Sequence, residues 1–248
     1  MGLNLDRASV LGLPVHLCAD YVGWLLDCLA LGRGATVATL NAEMAIAAER
    51  DDQLRSALLG ADLIVPDGAG VVLYLRARGR RIKRMPGIEL AEGLLERSAG
   101  RGDWPVVFFG GKPGVAETAA QRWRSRCPNL AISMVQHGYV NDQELKDFEE
   151  AIAAQRPRII LVALGVPRQE YWIAQVRDRC PGAIWIGVGG SFDIWAGTKE
   201  RAPAWFCDHH LEWLYRLYQE PWRWRRMLAL PYFVWRALLD WLRPAPIR

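Results

Sequence analysis

Six short apolar runs, each separated from the next by a longer polar or amphipathic stretch, dominate the first 195 residues of this chain. They are Val37 to Leu40, Leu63 to Val65, Val106 to Phe109, Ala131 to Val135, Ile159 to Leu164 and Ile184 to Val188. Most are rich in β-branched residues and nearly continuous in apolar character, which is the pattern of strands covered on both faces. Helical patterns lie between them. Gly87 to Ala99 carries Ile88, Leu90, Ala91, Leu94 and Leu95 on one stripe, and Pro113 to Arg126 opens with a proline in its first turn. Asn141 to Gln155 opens with Asn141 and Glu144, the spacing of a capping box. Strands alternating with helices predict an α/β fold, a mostly parallel Rossmann-like sheet with helices on both faces.

In such sheets ligands bind beyond the carboxyl ends of the strands. All six ends carry glycine or polar residues: "TLNAE", "VPDGAG", "FFGGKPG", "QHGYV", "ALGVPRQE" and "GVGGSFD". Any one of these reads equally well as a turn, but six along one edge point to a site. Gly110 and Gly111, just before a helix, would let backbone amides approach a phosphate. The stretch is neither G-x-G-x-x-G nor a P-loop. Asp193, past a second glycine cluster, fits either a contact to a base or ribose or a helix cap. Asp67, held by Pro66 at a strand end, fits either a general base or an Asp-Gly turn. Thr39 and Asn41 share one side of a strand, and Asn41 also fits the cap of the next helix. The residues alone do not choose between Asp67 and Asp193 as base.

Metal ligands are not legible. No D-x-D occurs, and the acidic pair Asp51-Asp52 is read as the solvated end of a helical pattern. The five cysteines form no C-x-x-C, and His209 and His210, adjacent on an expected helix, would point different ways. The scattered cysteines, an N-terminus without a leader pattern and the lack of a long apolar run suggest a cytoplasmic protein.

Composition shifts near residue 198. The net charge of +4 is too small to argue for nucleic acid, but the tail carries all of it, with nine Lys/Arg against five Asp/Glu from Thr198 onward. Six of the twelve tryptophans lie there too. A boundary is therefore placed between a core (1–197) and an appendage (198–248). The appendage predicts two or three short helices, broken or kinked at Pro221 and Pro231. Arg216, Arg223 and Arg226 fall on one helical face, and arginine forks suit phosphate oxygens. Trp213, Trp222, Trp224, Trp235, Trp241 and the Phe233–Leu239 segment would suit a membrane interface. A helix pair packed on its own core, with its arginines in solvent, is the alternative.

Together the motifs identify a resemblance. "LNAE", "VPDGAGVV", "MPGIEL", "FFGGKPGVAE", "HGY", "ALGVPRQE", "GVGGSFD", "AGTKERAPAW" and "LEWLYRLYQEPWRWRR" run in the order and at the spacing of the WecG/TagA/CpsF family, glycosyltransferase family 26. The resemblance covers nearly the whole chain. It implies inverting transfer of a hexose-type sugar from a UDP-sugar to a polyprenyl-diphosphate-linked saccharide at the inner face of the bacterial membrane, for cell-surface polysaccharide. It implies no cofactor and no metal. By position, Asp67 becomes the base, with Thr39 and Asn41 beside the sugar. Gln169 falls near the donor and Asp193 at uracil. The glycines Gly110, Gly111, Gly138, Gly165 and Gly189, with Tyr139, become donor-side residues. Arg216, Arg223 and Arg226 become the arginines of an appendage that closes over the active site on the membrane. Homo-oligomer formation is left open. The competing readings are a nucleotide-binding oxidoreductase built on "GVGGSFD" and a non-catalytic peripheral membrane module. The absence of G-x-G-x-x-G counts against the first.

Overall fold

The computed structural model describes residues 5–242; 1–4 and the 243–248 end of the expected appendage lie outside the described residues. Eight strands occur: β1 (Asp6–Val10), β2 (Leu13–Leu17), β3 (Ala35–Leu40), β4 (Leu63–Pro66), β5 (Val106–Gly110), β6 (Ile132–Gln136), β7 (Ile159–Ala163) and β8 (Ile184–Gly187). β3 to β8 form one sheet in the order β4-β3-β8-β7-β5-β6, and every pairing in it is parallel. All residues of β3, β4, β5, β7 and β8 are buried, which explains their unbroken apolar sequences.

Helices cover both faces. Tyr21–Ala30, Gly87–Ser98, Val115–Arg126 and Ser191–Trp195 close one side over a core containing Leu94, Phe108, Phe192 and Trp195. Asp142–Gln155 and Arg168–Val176 close part of the other over Phe109, Trp172 and Trp185. Ala42–Ala47, Asp52–Leu59, Ala69–Ala77 and Ala229–Trp241 close the rest over Leu40, Ile64 and Val72. The capping box at Asn141 forms as its spacing predicts.

Several expectations are corrected. Helix Val115–Arg126 starts two residues after Pro113, because Gly111 and Gly114 adopt left-handed backbone (φ +72° and +84°) and hold the chain in a turn. Asp51 does not end a helix. It caps the start of Asp52–Leu59, accepting from Leu54 N at 2.9 Å, and takes the Tyr171 hydroxyl as well. His209 and His210 follow helix Ala204–Asp208 instead of lying within one; His210 has φ +62°, and His209 stacks on Trp205.

The N-terminal hairpin β1–β2 has no counterpart among the expected strands. It turns on Leu11 and Gly12, both at positive φ, and His16 Nδ1 accepts Ile64 N at 2.9 Å, covering the edge at β4.

The appendage forms helices Ala204–Asp208, Glu212–Gln219, Trp224–Met227 and Ala229–Trp241, with a 3₁₀ turn at Pro221–Arg223. Pro221 opens that turn, and Pro231, which cannot donate back to Met227, lies in the first turn of the last helix, where an amide has no helical acceptor. That last helix docks on the core. Phe233 is buried, meeting Tyr74 edge-on at 6.3 Å, so it does not belong to an outward apolar patch.

Candidate active site

The carboxyl ends of β3 and β4 are drawn together by backbone. Asp67 N and Gly68 N both donate to Leu40 O (3.0 and 3.3 Å), and Met85 N donates to Pro66 O at 2.9 Å. Close packing demands glycine here: a Cβ on Gly68 would come 2.8 Å from Asn41 Cβ, and one on Gly87 2.9 Å from Thr39 Cγ2. Thr39, Asn41 and Asp67 therefore converge at one point. Asn41 meets its helix-cap expectation. It caps helix Ala42–Ala47, accepting Met44 N at 2.9 Å, and it lines the cleft.

This cleft, of about 170 Å³, is walled by Thr39, Asn41 and Asp67, by Gly165, Gln169 and Gly189 from the ends of β7 and β8, and by Arg216, Arg223 and Arg226 from the appendage. A second cleft of about 140 Å³ shares Asn41, Asp67, Arg216 and Arg223 and is lined beyond them by Gly68–Gly70, His210, Trp213 and Leu230. Asp67 thus stands in the wall between two adjoining spaces.

Its electrostatics suit proton transfer. Burial pushes the Asp67 carboxyl up to about 6, and Glu212 adds to the rise, while Arg216, Arg84 and the Gly87 amide oppose it. Burial also works to raise Glu212, yet Arg216 and Arg84, both ion-paired with it, hold it below its ordinary value. Each appendage arginine in the cleft has a carboxylate partner: Arg216 has Glu212, Arg223 has Glu220 at 2.7 Å, and Arg226 has Glu43 at 3.3 Å. Lys199 joins them, bridging Glu220 (3.2 Å) and Asp193 (3.5 Å).

Other expected residues stand apart from the cleft lining. Gly110, Gly111 and Gly138 form a neighbouring shelf at the ends of β5 and β6, where Gly138 N donates to Gly111 O at 2.9 Å, and Tyr139 is exposed beside it. Asp193 lies inside helix Ser191–Trp195, whose cap position is Gly190, so it is not a helix cap. It is linked to the cleft lining through Lys199. The sequence reading missed Arg84, Lys199, Glu212 and Glu220. Glu212/Arg216 and Glu220/Arg223 were visible as helical ion pairs at spacings of four and three. Among the described residues no group of three or more His, Cys, Asp or Glu is placed to hold a metal ion.

A parallel α/β sheet with a carboxylate and an arginine-lined cleft at its strand ends has the architecture in which α/β enzymes bind their ligands. The family model for the WecG/TagA/CpsF glycosyl transferases matches residues 8–246. The chain is similar to an N-acetylglucosaminyldiphosphoundecaprenol N-acetyl-beta-D-mannosaminyltransferase of Bacillus spizizenii, with 38% identity over 207 residues, 83% of this chain and 79% of that protein. It is likewise similar to the protein of the same name from Bacillus subtilis, with 37% identity over 208 residues, 84% of this chain and 80% of that one. The chain belongs to the WecG/TagA/CpsF family and is a glycosyltransferase. This sets aside the oxidoreductase alternative.

Proposed function

We propose that the protein transfers a sugar, with inversion, from a UDP-sugar to a polyprenyl-diphosphate-linked saccharide in cell-surface polymer synthesis. The names of the two Bacillus relatives favour N-acetylmannosamine as the sugar and N-acetylglucosaminyl-diphospho-lipid as the acceptor. The observation that carries the reading is the position of Asp67 between two clefts. The donor occupies the one floored by Gly165 and Gly189. The acceptor enters through the one bordered by Trp213 and Leu230, on the appendage side.

Asp67 then removes the proton from the acceptor hydroxyl. The hydroxyl oxygen forms a bond to the anomeric carbon from the face opposite the diphosphate. The bond from that carbon to the diphosphate oxygen breaks, and UDP leaves with the electron pair. Arg216, Arg223 and Arg226 balance the growing negative charge, as fixed cations in a half-enclosed site do best. This assigns charge neutralisation to the protein itself and makes the reaction independent of a divalent metal.

Among the described residues no helix is long and apolar enough to cross a membrane. The appendage nevertheless exposes Trp222, Trp224, Trp235, Trp241 and Leu238. We place this surface on the inner face of the membrane, where the lipid-linked acceptor resides. A screen of UDP-sugars against a short-chain lipid-diphosphate saccharide tests the reading. Transfer of N-acetylmannosamine is expected, and no transfer or hydrolysis of any UDP-sugar would refute it.

A further inference from the structure

Glu170 is a carboxylate in an unusual place. It sits in the first turn of helix Arg168–Val176, where helix polarity favours acidic residues, but it is only 7% exposed. Its Oε1 accepts from Gln169 Nε2 at 2.9 Å, and its Oε2 is buried with no hydrogen-bond partner among the described residues. A buried glutamate with half its acceptors unused is costly to keep. The mechanism above gives it no part.

Its side-chain partner, Gln169, connects it to the cleft. Gln169, 2% exposed, directs its Oε1 at two backbone amides, Gly165 N (3.2 Å) and Gly189 N (3.1 Å). These glycines end β7 and β8, lie at φ +77° and +52°, and floor the donor side of the cleft. One carboxamide therefore ties two separate strand-end turns together. A carboxamide can rotate by half a turn without changing shape, and in the wrong orientation its NH₂ would face two N–H donors. When ionised, a carboxyl against the other end accepts only from NH₂ and so selects the useful orientation. Space for the pair is reserved by Gly187, where a Cβ would overlap the Gln169 carboxamide and approach Glu170 Oε1 to 3.2 Å.

We propose that Glu170 is a positioning residue for sugar transfer, acting through the Gln169 carboxamide to hold the Gly165 and Gly189 turns in register at the donor floor. Gln169 on this account is a strut with its polar atoms turned into the protein. The proposal rests on the donor assignment made above, so its test has one arm that does not depend on activity.

The test compares Glu170→Leu, Gln169→Glu, Glu170→Gln and the exchanged pair Gln169→Glu with Glu170→Gln. Glu170→Leu removes the acceptor, and Gln169→Glu sets two carboxylates against each other. Each should raise the donor KM or lower kcat by about tenfold or more, since small misplacements near a reacting centre cost up to roughly 10²-fold. Glu170→Gln keeps an acceptor oxygen and should stay within about threefold of wild type. In the exchanged pair the Gly165 and Gly189 amides still donate to residue 169 and only the bond between residues 169 and 170 reverses, so it should recover most of what Gln169→Glu loses. The independent arm is amide hydrogen exchange at Gly165 and Gly189, faster in Glu170→Leu and slowed again in the exchanged pair. If Glu170→Leu keeps wild-type kinetics and exchange, or the exchanged pair recovers neither, the proposal is wrong. If wild-type protein turns over no UDP-sugar while the exchange pattern holds, the donor assignment fails and the strut stands.

Discussion

Arg223 Nε lies 2.7 Å from the Glu220 carboxylate, and the same carboxylate holds Lys199 at 3.2 Å. Two cations of the cleft thus share one anion supplied by the appendage. On the proposed function, an incoming diphosphate would compete with Glu220 for both. Arg223→Ala should weaken UDP binding by about tenfold or more, since a charge-assisted hydrogen bond contributes roughly 1.5–3 kcal/mol. Glu220→Gln should instead tighten UDP binding at low salt. Titration calorimetry measures both, and weaker binding in Glu220→Gln would show that Glu220 orients Arg223 and does not compete with the ligand.

Asp67 titrates near 6, because burial, the largest influence, favours its neutral form. As the base it must be ionised, so kcat/KM should fall as pH drops through about 6 and stay level above it. The folded protein holds this proton more tightly than the unfolded chain, whose carboxyl has the ordinary value of 3.8. The contribution of Asp67 to folding stability therefore declines as pH rises between those two values and is level beyond. Asp67→Asn should cost about 10²- to 10⁴-fold in turnover. At pH 8 it should melt no lower than wild type. More than a tenth of normal turnover, or a clear fall in Tm, would contradict this assignment.

Turnover should survive EDTA. Arg216, Arg223 and Arg226 line the cleft from the appendage and, on the proposed function, carry the fixed positive charge that the leaving diphosphate requires. Abolition by EDTA, with restoration by Mg²⁺ or Mn²⁺, would overturn the metal-independent reading.

Phe233 makes the appendage part of the core as well as of the site. Its ring is 3% exposed, lies 3.5 Å from the position of a Cβ on Gly70 and meets Tyr74. Cutting the chain near Glu200 would open this cluster, so a truncated core should be destabilised and is not a clean test of appendage function. Phe233→Ala alone should cost about 3–5 kcal/mol, roughly 10 °C in Tm for a chain of this size. A thermal melt within 2 °C of wild type would show that the last helix is not docked in solution.

The sheet was legible because parallel strands buried on both faces leave long apolar runs, as in β5 and β7. Part of the candidate cleft followed, since Thr39, Asp67, Gly165 and Gly189 sit at or just past the ends of those runs. The hairpin β1–β2 was not legible: its strands are five residues each, one contains Pro14, and β1 is largely exposed. Asp51 was misplaced because an acidic pair between two short helices fits the end of one as well as the start of the next. Arg84–Glu212 and Lys199–Glu220 join segments brought together only by folding, which local spacing cannot show. Phe233 was grouped with its exposed neighbours because every nearby residue of that helix is apolar or aromatic too, and only docking reveals which face is covered.

Exposure separates Trp222 and Trp224 from Arg223, the arginine between them. Trp222 and Trp224 are 71% and 54% exposed, whereas Arg223 between them turns into the cleft toward Glu220. The 3₁₀ turn at Pro221–Arg223, passing directly into helix Trp224–Met227, produces this separation. Indole rings bury an apolar body at a bilayer surface while keeping their N–H hydrated. At about 1.4 kcal/mol for each half-buried ring, Trp222→Ala with Trp224→Ala should weaken binding to anionic liposomes by roughly 10²-fold. Turnover on a water-soluble acceptor should change far less. Arg223→Ala should show the opposite pattern, because one arginine adds only about 1 kcal/mol to membrane attraction and its loss is felt in the cleft. Co-sedimentation with vesicles and an assay on soluble acceptor separate the two effects. Parallel loss of both properties in both variants would mean that the turn serves one structural purpose and that the indoles do not form a membrane contact of their own.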